Sequence, residues 1–381
     1  PMIKVMVSAG EVSGDLHASF LTSELLRLNP TLKIFGMAGE RSKAAGVDVR
    51  IDLSAKGTVG ITEVLRFLPS ILTAYFKMKA LLKKERPDLL VLVDYQGFNM
   101  LLAKYAKKIG IKTIYYISPQ EWLWGAEKGV KAAASSLYKI LAIFEDEAKA
   151  YKKAGANVVY IGNPNLDTIK LSADKASFCR SFGLNPNFPV LGLFPGSRLQ
   201  EINRLLGILL KAGNLIKARV PNAQFVLSLS SEHFRNGIEK KINGSRVKLI
   251  YGKSHDILNA SNVSLAASGT VTMEATILGA PIIMAYKISL ISYLIGKYIL
   301  RIRLPYFSMT NLIAGYEVIP EFVQDKATAE NIAGKAIELL TDKGSIAAIK
   351  AGYSKVLSKF GSPGAVKRAA QQINYELRGK I

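Results

Sequence analysis

The sequence predicts an α/β protein made of two doubly wound domains, each a parallel sheet with helices on both faces. Three observations carry that reading. Short apolar runs alternate with helix-length segments along most of the chain, the pattern of strands buried on both faces. Several of these runs end abruptly in glycine or other small residues that open a helix. The third is length: at 381 residues the chain exceeds what one core usually supports, since single cores rarely grow past roughly 250–300 residues.

In the first half, strands are expected at Ile3–Ser8, Lys33–Met37, Leu89–Asp94, Lys112–Ile117, Ile140–Phe144 and Val158–Ile161. The second half repeats the scheme with Pro189–Phe194, Gln224–Leu229, Val247–Ile250, Val263–Ala266 and Pro281–Tyr286. A polar stretch from Asn163 to Pro186 separates the halves and holds the expected hinge. The domains are therefore drawn as 1–165 and 166–345. A polar segment after Pro320 leads into a helical tail over 346–381, which can fold back on the first domain. Two such domains facing each other would take ligands at the C-terminal ends of their strands, in the cleft between them.

Composition narrows the class. Hydrophobic residues at 49% with only 14 prolines describe a globular protein with ample core. The single cysteine, Cys179, excludes an internal disulfide and fits a reducing compartment. Ile3 to Ser8 is too short for a secretory h-region, and the longest apolar stretch, Ile288 to Leu300, is broken by Lys297 and falls short of a membrane span. A cytoplasmic protein without a spanning helix is expected. Lys+Arg 51 against Asp+Glu 29 gives +22, enough to draw the molecule toward polyanions. Nucleic acid is not the expected partner, because the basic residues are scattered and no recognition module with interleaved aromatics appears. Anionic lipid headgroups fit the scatter better.

The strand-to-helix junctions carry the chemistry. Pro189–Phe194 breaks into Pro195-Gly196-Ser197-Arg198, with Glu201 one turn on, and Val263–Ala266 breaks into Ala267-Ser268-Gly269-Thr270 before a helix that carries Glu274. A helix opened by small residues directs free N–H groups and a positive dipole end at a crevice, where diphosphates bind. Arg198 adds a bidentate donor for phosphate oxygens, Ser268 and Thr270 add hydroxyls, and Glu274 can accept from the two hydroxyls of a ribose. One such junction alone could merely end a strand; two in one domain favour a nucleotide site.

The first domain has its own junction, Ala9-Gly10-Glu11-Val12-Ser13-Gly14-Asp15-Leu16-His17. Its spacing is not the dinucleotide G-x-G-x-x-G, and it presents Glu11, Ser13, Asp15 and His17 as a polar cup for a hydroxylated or phosphorylated ligand. Capping of the helix by Ser13 or Asp15 is equally compatible. Asp94 closes the third assigned strand on the functional edge of the sheet and is the best general-base candidate. No Asp-x-Asp occurs, His17, His233 and His255 lie far apart, and neither a P-loop nor a G-x-S-x-G elbow is present. Neither a metal nor a cofactor is expected.

Gly10-Glu11-Val12-Ser13-Gly14-Asp15, Ser118-Pro119-Gln120 with Trp122 and Trp124, Pro195-Gly196-Ser197-Arg198 with Glu201, Ser268-Gly269-Thr270 with Glu274, and Asn311-Leu312-Ile313-Ala314-Gly315 together resemble the lipid-A-disaccharide synthase family. The resemblance runs in order from Ala9 to Gly315. It implies a GT-B fold and an inverting, metal-independent hexosyl transfer. UDP-2,3-diacylglucosamine would be joined to 2,3-diacylglucosamine 1-phosphate, giving UDP and the β-1→6 disaccharide of lipid A. It further implies that Asp94 deprotonates the acceptor's 6-hydroxyl, and that Gly196, Ser197, Arg198, Glu201, Ser268, Gly269, Thr270, Glu274 and Asn311 bind the UDP-sugar. Gly10, Glu11, Ser13, Gly14 and Asp15 would form the acceptor-side loop. The implied setting is peripheral, on anionic lipids of the inner membrane's cytoplasmic face, with room for a homodimer. Another UDP-amino-sugar enzyme with a different lipid acceptor, an epimerase, or a non-catalytic binder of nucleotide or anionic lipid are the alternatives.

The chain departs from the family pattern at four places. The usual Asp-x-Pro-Asp-Phe-Asn reads Asp94-Tyr95-Gln96-Gly97-Phe98-Asn99, without the second carboxylate. Gly125 replaces a common basic residue, Asn163 the histidine of Gly-His-Pro, and Thr310 a proline.

Acyl chains need an apolar place to lie. Ile61 to Lys84 holds more apolar surface than one buried face requires, with Phe67, Leu68, Ile71 and Leu72 as the expected membrane contact and Arg66, Lys77 and Lys79 beside them. Pro69 is expected to break or kink this segment. A core helix under a loop is the other reading, and the net charge favours the membrane. Ile288–Phe307 has a similar profile.

Overall fold

The computed structural model describes residues 2–53, 61–124, 127–289 and 305–378, and only the backbone of 61–67 and 124. The chain forms two units. The first is built from residues up to Thr168 and again from Lys359 on; the second comprises Ile169–Ser358.

The first unit holds seven parallel strands: β1 (Lys4–Ser8), β2 (Lys33–Met37), β3 (Asp48–Ile51), β4 (Leu89–Val93), β5 (Thr113–Tyr116), β6 (Lys139–Ala142) and β7 (Val158–Tyr160), ordered β3-β2-β1-β4-β5-β6-β7. Its helices are α1 (Val12–Leu28), α2 (Glu40–Ala44), α3 (Ile61–Glu85), α4 (Gln96–Lys108), α5 (Glu127–Ser136), α6 (Glu145–Lys153) and α7 (Asn165–Thr168). The second unit holds β8 (Val190–Phe194), β9 (Gln224–Leu229), β10 (Val247–Tyr251), β11 (Val263–Ala267), β12 (Ile282–Tyr286) and β13 (Glu321–Val323), ordered β10-β9-β8-β11-β12-β13 and again parallel. Around it run α8 (Lys175–Ser181), α9 (Leu199–Arg219), α10 (Arg235–Ile242), α11 (Ser254–Ala260), α12 (Thr270–Leu278), α13 (Met309–Ala314), α14 (Ala329–Thr341) and α15 (Lys343–Leu357). Central strands such as β4 and β8 are buried at every residue, which is why they read as unbroken apolar runs.

Two strands escaped the sequence reading. β3 reads Asp-Val-Arg-Ile with alternate residues exposed, and β13 is three half-buried residues beginning at Glu321. Both lie at a sheet edge, where only one side is covered and no apolar run is needed.

The expected domain limits also shift. The line at 165/166 would cut α7, and the line at 345/346 would cut α15. α15 belongs to the second unit: Tyr353 OH donates to the Ala280 carbonyl at 3.0 Å, and Gly352 lets the helix close on Val318. Only the last helix, α16 (Ala365–Arg378), returns to the first unit, where it packs along α1. There the Asp167 carboxylate accepts from the N–H groups of Gly364 and Val366, and Lys139 pairs with Glu376.

α3 continues through Pro69 without ending. Among its described side chains, Ala74, Met78 and Leu82 are buried in the core with Met6, Phe35 and Leu92, and Ile71 and Tyr75 pack against that cluster. Leu68, Leu72 and Phe76, spaced four apart, form a separate outer stripe, 38%, 46% and 61% exposed. Ile71 therefore leaves the expected membrane face, because the 3.6-residue period turns it inward. Phe67 and most of 288–307 lie outside the described side chains. Among the described residues no helix is long and apolar enough to cross a membrane.

Candidate functional site

In the first sheet the strand order reverses between β1 and β4, so the loops leaving these neighbours diverge and open a crevice at their C-terminal ends. Asp94 stands directly at that edge, half-buried. Its carboxylate accepts from Ser13 Oγ at 2.9 Å, which joins the two junctions. Its backbone is in the left-handed region, φ 53°, and so is that of Tyr95, φ 50°. Non-glycine residues avoid that region unless neighbours enforce it. Here they do: the Asp94 carbonyl accepts from Asn99 Nδ2 and from Tyr115 OH, both at 2.7 Å. Asn99, fully buried, also receives Ser8 Oγ at 2.6 Å and so clamps the ends of β1 and β4 together. Gly10 has a steric reason to be glycine, since a Cβ there would lie 2.3 Å from the Tyr95 ring. At the end of neighbouring β5 a further residue, Ile117, has φ 59°, which is unusual for a β-branched side chain.

The first junction divides differently from its sequence reading. Glu11 occupies the N-cap of α1, and Ser13 meets Asp94. Asp15 does not belong to a ligand cup. Its buried carboxylate accepts from the N–H groups of Gly39, Arg41 and Ser42 at 2.8–3.1 Å and caps α2. His17 is buried as well, and desolvation lowers its pKa to about 4, so it is a neutral core residue at pH 7.

Two acids not singled out in the sequence lie on this edge. Glu147, in α6, is wholly buried; it accepts from Ser118 Oγ and from the N–H groups of Ile143 and Phe144. Burial pushes its pKa up to about 7 against those hydrogen bonds. Glu121, in the 3-10 turn Gln120–Trp124 after β5, accepts from Gln96 Nε2. Glu145-Asp146-Glu147 reads as a solvated helix start, and only the fold distinguishes its third member.

The second sheet reverses between β8 and β11, so its crevice lies between the two junctions that the sequence proposed for the nucleotide. They differ in readiness. At the start of α9, Glu201 Oε2 accepts from the N–H groups of Ser197 and Arg198 at 3.0 and 3.3 Å, and Oε1 pairs with Arg198 Nη1 at 3.1 Å. These are the helix donors the sequence reading left for a diphosphate, and an internal carboxylate takes them. Gly196, φ 120°, lets Glu201 close in, as a Cβ would lie 2.4 Å from its carboxylate. Arg198 is held ready by this pair. At the start of α12, Gly269 and Thr270 are exposed, and the N-cap residue Gly269 has no side chain to cap the helix with. The Ser268 hydroxyl donates to the Phe307 carbonyl at 3.2 Å, and Glu274 lies one turn into the helix, 3.7 Å from His255 Nε2.

Asn311 is corrected from donor contact to structural staple. It is buried; Nδ2 donates to the Ile319 carbonyl and to Glu321, and Oδ1 accepts from the N–H groups of Val318 and Ile319. Its hydrogen-bonding capacity is used within the protein. Thr310 beside it shares a hydrogen bond with Thr276, joining α12 and α13. Asn163 is buried and its Nδ2 has no partner among the described residues, while Gly97 is exposed and Gly125 is not described. Among the described residues no group of three or more His, Cys, Asp or Glu could hold a metal ion.

Solved structures similar to this chain share its whole architecture. A Staphylococcus aureus MnaA–UDP co-structure matches with a TM-score of 0.67 at 15% identity, covering 99% of this chain and 97% of that one. A UDP-GlcNAc 2-epimerase from Neisseria meningitidis bound to UDP-GlcNAc gives 0.64 at 14%, covering 98% and 99%. The glycotransferase of kitacinnamycin gives 0.61 at 15%, covering 99% of each chain. These likenesses show the fold, the two-domain Rossmann-like arrangement of GT-B enzymes. Sequence goes further. The lipid-A-disaccharide synthase of Geobacter metallireducens is 40% identical over 382 residues, covering 100% of this chain and 98% of its relative. The enzyme of Nitrosococcus oceani is 37% identical over 378 residues, covering 99% and 97%. With the model of the lipid-A-disaccharide synthetase family matching residues 5–374, the chain belongs to that family of glycosyltransferases, which form the disaccharide of lipid A.

Proposed function

We propose that this chain joins UDP-2,3-diacylglucosamine to 2,3-diacylglucosamine 1-phosphate, with Asp94 as the general base. The observation that carries the assignment is the strained Asp94, tethered by three hydrogen bonds at the reversal point of the first sheet, its carboxylate held by Ser13. In the proposed step Asp94 takes the proton of the acceptor's 6-hydroxyl. The oxygen's electron pair forms the new bond to the anomeric carbon as the bond to the diphosphate breaks with inversion. The charge arriving on UDP is met by the exposed start of α12 and by Arg198, with no metal taking part. Glu274, one turn into α12, accepts from the ribose hydroxyls.

The enzyme works on a membrane surface in this reading. Leu68, Leu72 and Phe76 enter the headgroup region of the inner membrane's cytoplasmic leaflet, and the net charge of +22 favours anionic lipid. Asp94→Ala tests the chemistry: turnover should fall on the order of 100- to 10,000-fold while UDP binding, followed by calorimetry, is retained. A variant that keeps more than about a tenth of the parent kcat at saturating acceptor removes Asp94 from the role of base.

A further inference from the structure

Gln96 opens α4 directly after the Asp94–Tyr95 turn, and Glu121 lies in the 3-10 turn that follows β5. β4 and β5 are paired, Val93 opposite Tyr116, so both residues stand on the C-terminal edge that carries Asp94. Gln96 Nε2 donates to Glu121 Oε1 at 2.5 Å. The carboxyl also rests on Gly129 in α5, so closely that a Cβ there would come within 2.3 Å of it. Glu121 is thereby fixed from two sides yet remains partly open to solvent. On the same edge the Tyr115 hydroxyl, which donates to the Asp94 carbonyl, is held neutral chiefly by burial and then by the Asp94 charge, with Glu121 adding only a small further contribution. Beside Gln96 stands Gly97, at the position where the family pattern carries its second aspartate. A Cβ there would meet none of the described residues within 4 Å, so a side chain can start from this position without a clash.

We propose that Glu121, oriented by Gln96, is the second carboxylate of the acceptor site in this chain, receiving the hydroxyl or amide N–H donors of the acceptor sugar in place of a side chain at position 97. The proposal rests on the reading that the Asp94 edge faces the acceptor. A carboxylate is an acceptor-only group and repels phosphate, so it selects the neutral, donor-rich side of an amino sugar. Held by an amide and a close backbone contact, it loses little side-chain freedom on binding.

The test is steady-state kinetics of Glu121→Ala and Glu121→Gln with each substrate varied in turn. The acceptor KM should rise roughly 10- to 100-fold in Glu121→Ala and at least about 5-fold in Glu121→Gln, with the donor KM within about 2-fold of the parent. Adding Gly97→Asp to Glu121→Ala should return most of the lost acceptor affinity, since an aspartate in the first turn of α4 also suits the helix dipole. An acceptor KM within about 2-fold of the parent in Glu121→Gln overturns the proposal, and so does a rise that Gly97→Asp leaves in place. Glu121→Gln preserves side-chain size, so it decides the matter even if Glu121→Ala does not fold. Failure of the base assignment appears separately, as an active Asp94→Ala enzyme.

Discussion

Replacing Leu68, Leu72 and Phe76 together by serine should detach the protein from anionic vesicles while leaving it folded. The outer stripe of α3 is 38%, 46% and 61% exposed, which leaves about one and a half side chains' worth of apolar surface for a bilayer to cover. At roughly 1.5–3 kcal/mol per fully buried side chain, the loss is about 2–4 kcal/mol, a 30- to 1,000-fold weaker partition. Ile71, Ala74, Tyr75, Met78 and Leu82 stay in place, so the core beneath the helix is intact. Co-sedimentation with phosphatidylglycerol-containing vesicles, alongside a thermal melt, reads both halves of the claim. What binding remains should be electrostatic and disappear near about 0.5 M salt. A triple variant that unfolds, or one that sediments like the parent at high salt, refutes the division of α3 into an inner and an outer stripe. Ile71→Ser should behave oppositely, lowering the melting temperature with little direct effect on partition.

Arg198→Ala should weaken UDP-sugar binding by roughly 1.5–3 kcal/mol, measured by calorimetry, and EDTA should leave the parent's rate unchanged; abolition by chelator and recovery with magnesium would contradict metal-free transfer. Asn311→Ala should cost at least about 3 kcal/mol of stability, because two buried N–H groups, a carbonyl and Glu321 lose their partner. Molecules that stay folded should keep the parent's affinity for UDP; a stable variant that fails to bind UDP would return Asn311 to the donor site. Glu147, with its pKa raised to about 7, holds its proton in the native state after the unfolded chain has released it, so stability falls as pH rises from about 4.5 to 7. His17, lowered to about 4, works the other way between about 4 and 6.5. Glu147→Gln should therefore gain on the parent by about 3 kcal/mol between pH 4.5 and 8 in paired denaturant titrations, and a constant difference would exclude that titration.

The features legible in the sequence were those that depend on local pattern. β4 and β8 are apolar throughout because both faces are covered, and Asp94 was visible as the polar residue that ends such a run. β3 and β13 were not legible, since an edge strand needs neither length nor apolar continuity. Asp15 looked like part of a ligand cup because its partners are backbone N–H groups 24 to 27 residues away, which no residue type announces. Asn311 and Glu201 were mistaken for ligand contacts for a related reason: both bind main-chain N–H groups of their own unit, whose direction only the folded backbone fixes. The left-handed turn at Asp94 and Tyr95 has no glycine to mark it and is set by Asn99 and Tyr115 from outside.

Product analysis decides whether the chain makes the lipid A disaccharide by base-assisted transfer. Purified protein is incubated with UDP-2,3-diacylglucosamine and 2,3-diacylglucosamine 1-phosphate, UDP is measured against time, and the lipid product is examined by mass and by the anomeric coupling of the new linkage. UDP and a β-1→6 disaccharide should form in equal amounts, and only when the acceptor is present. UDP release that ignores the acceptor, or a UDP-sugar returned as its 2-epimer with no disaccharide, would contradict it.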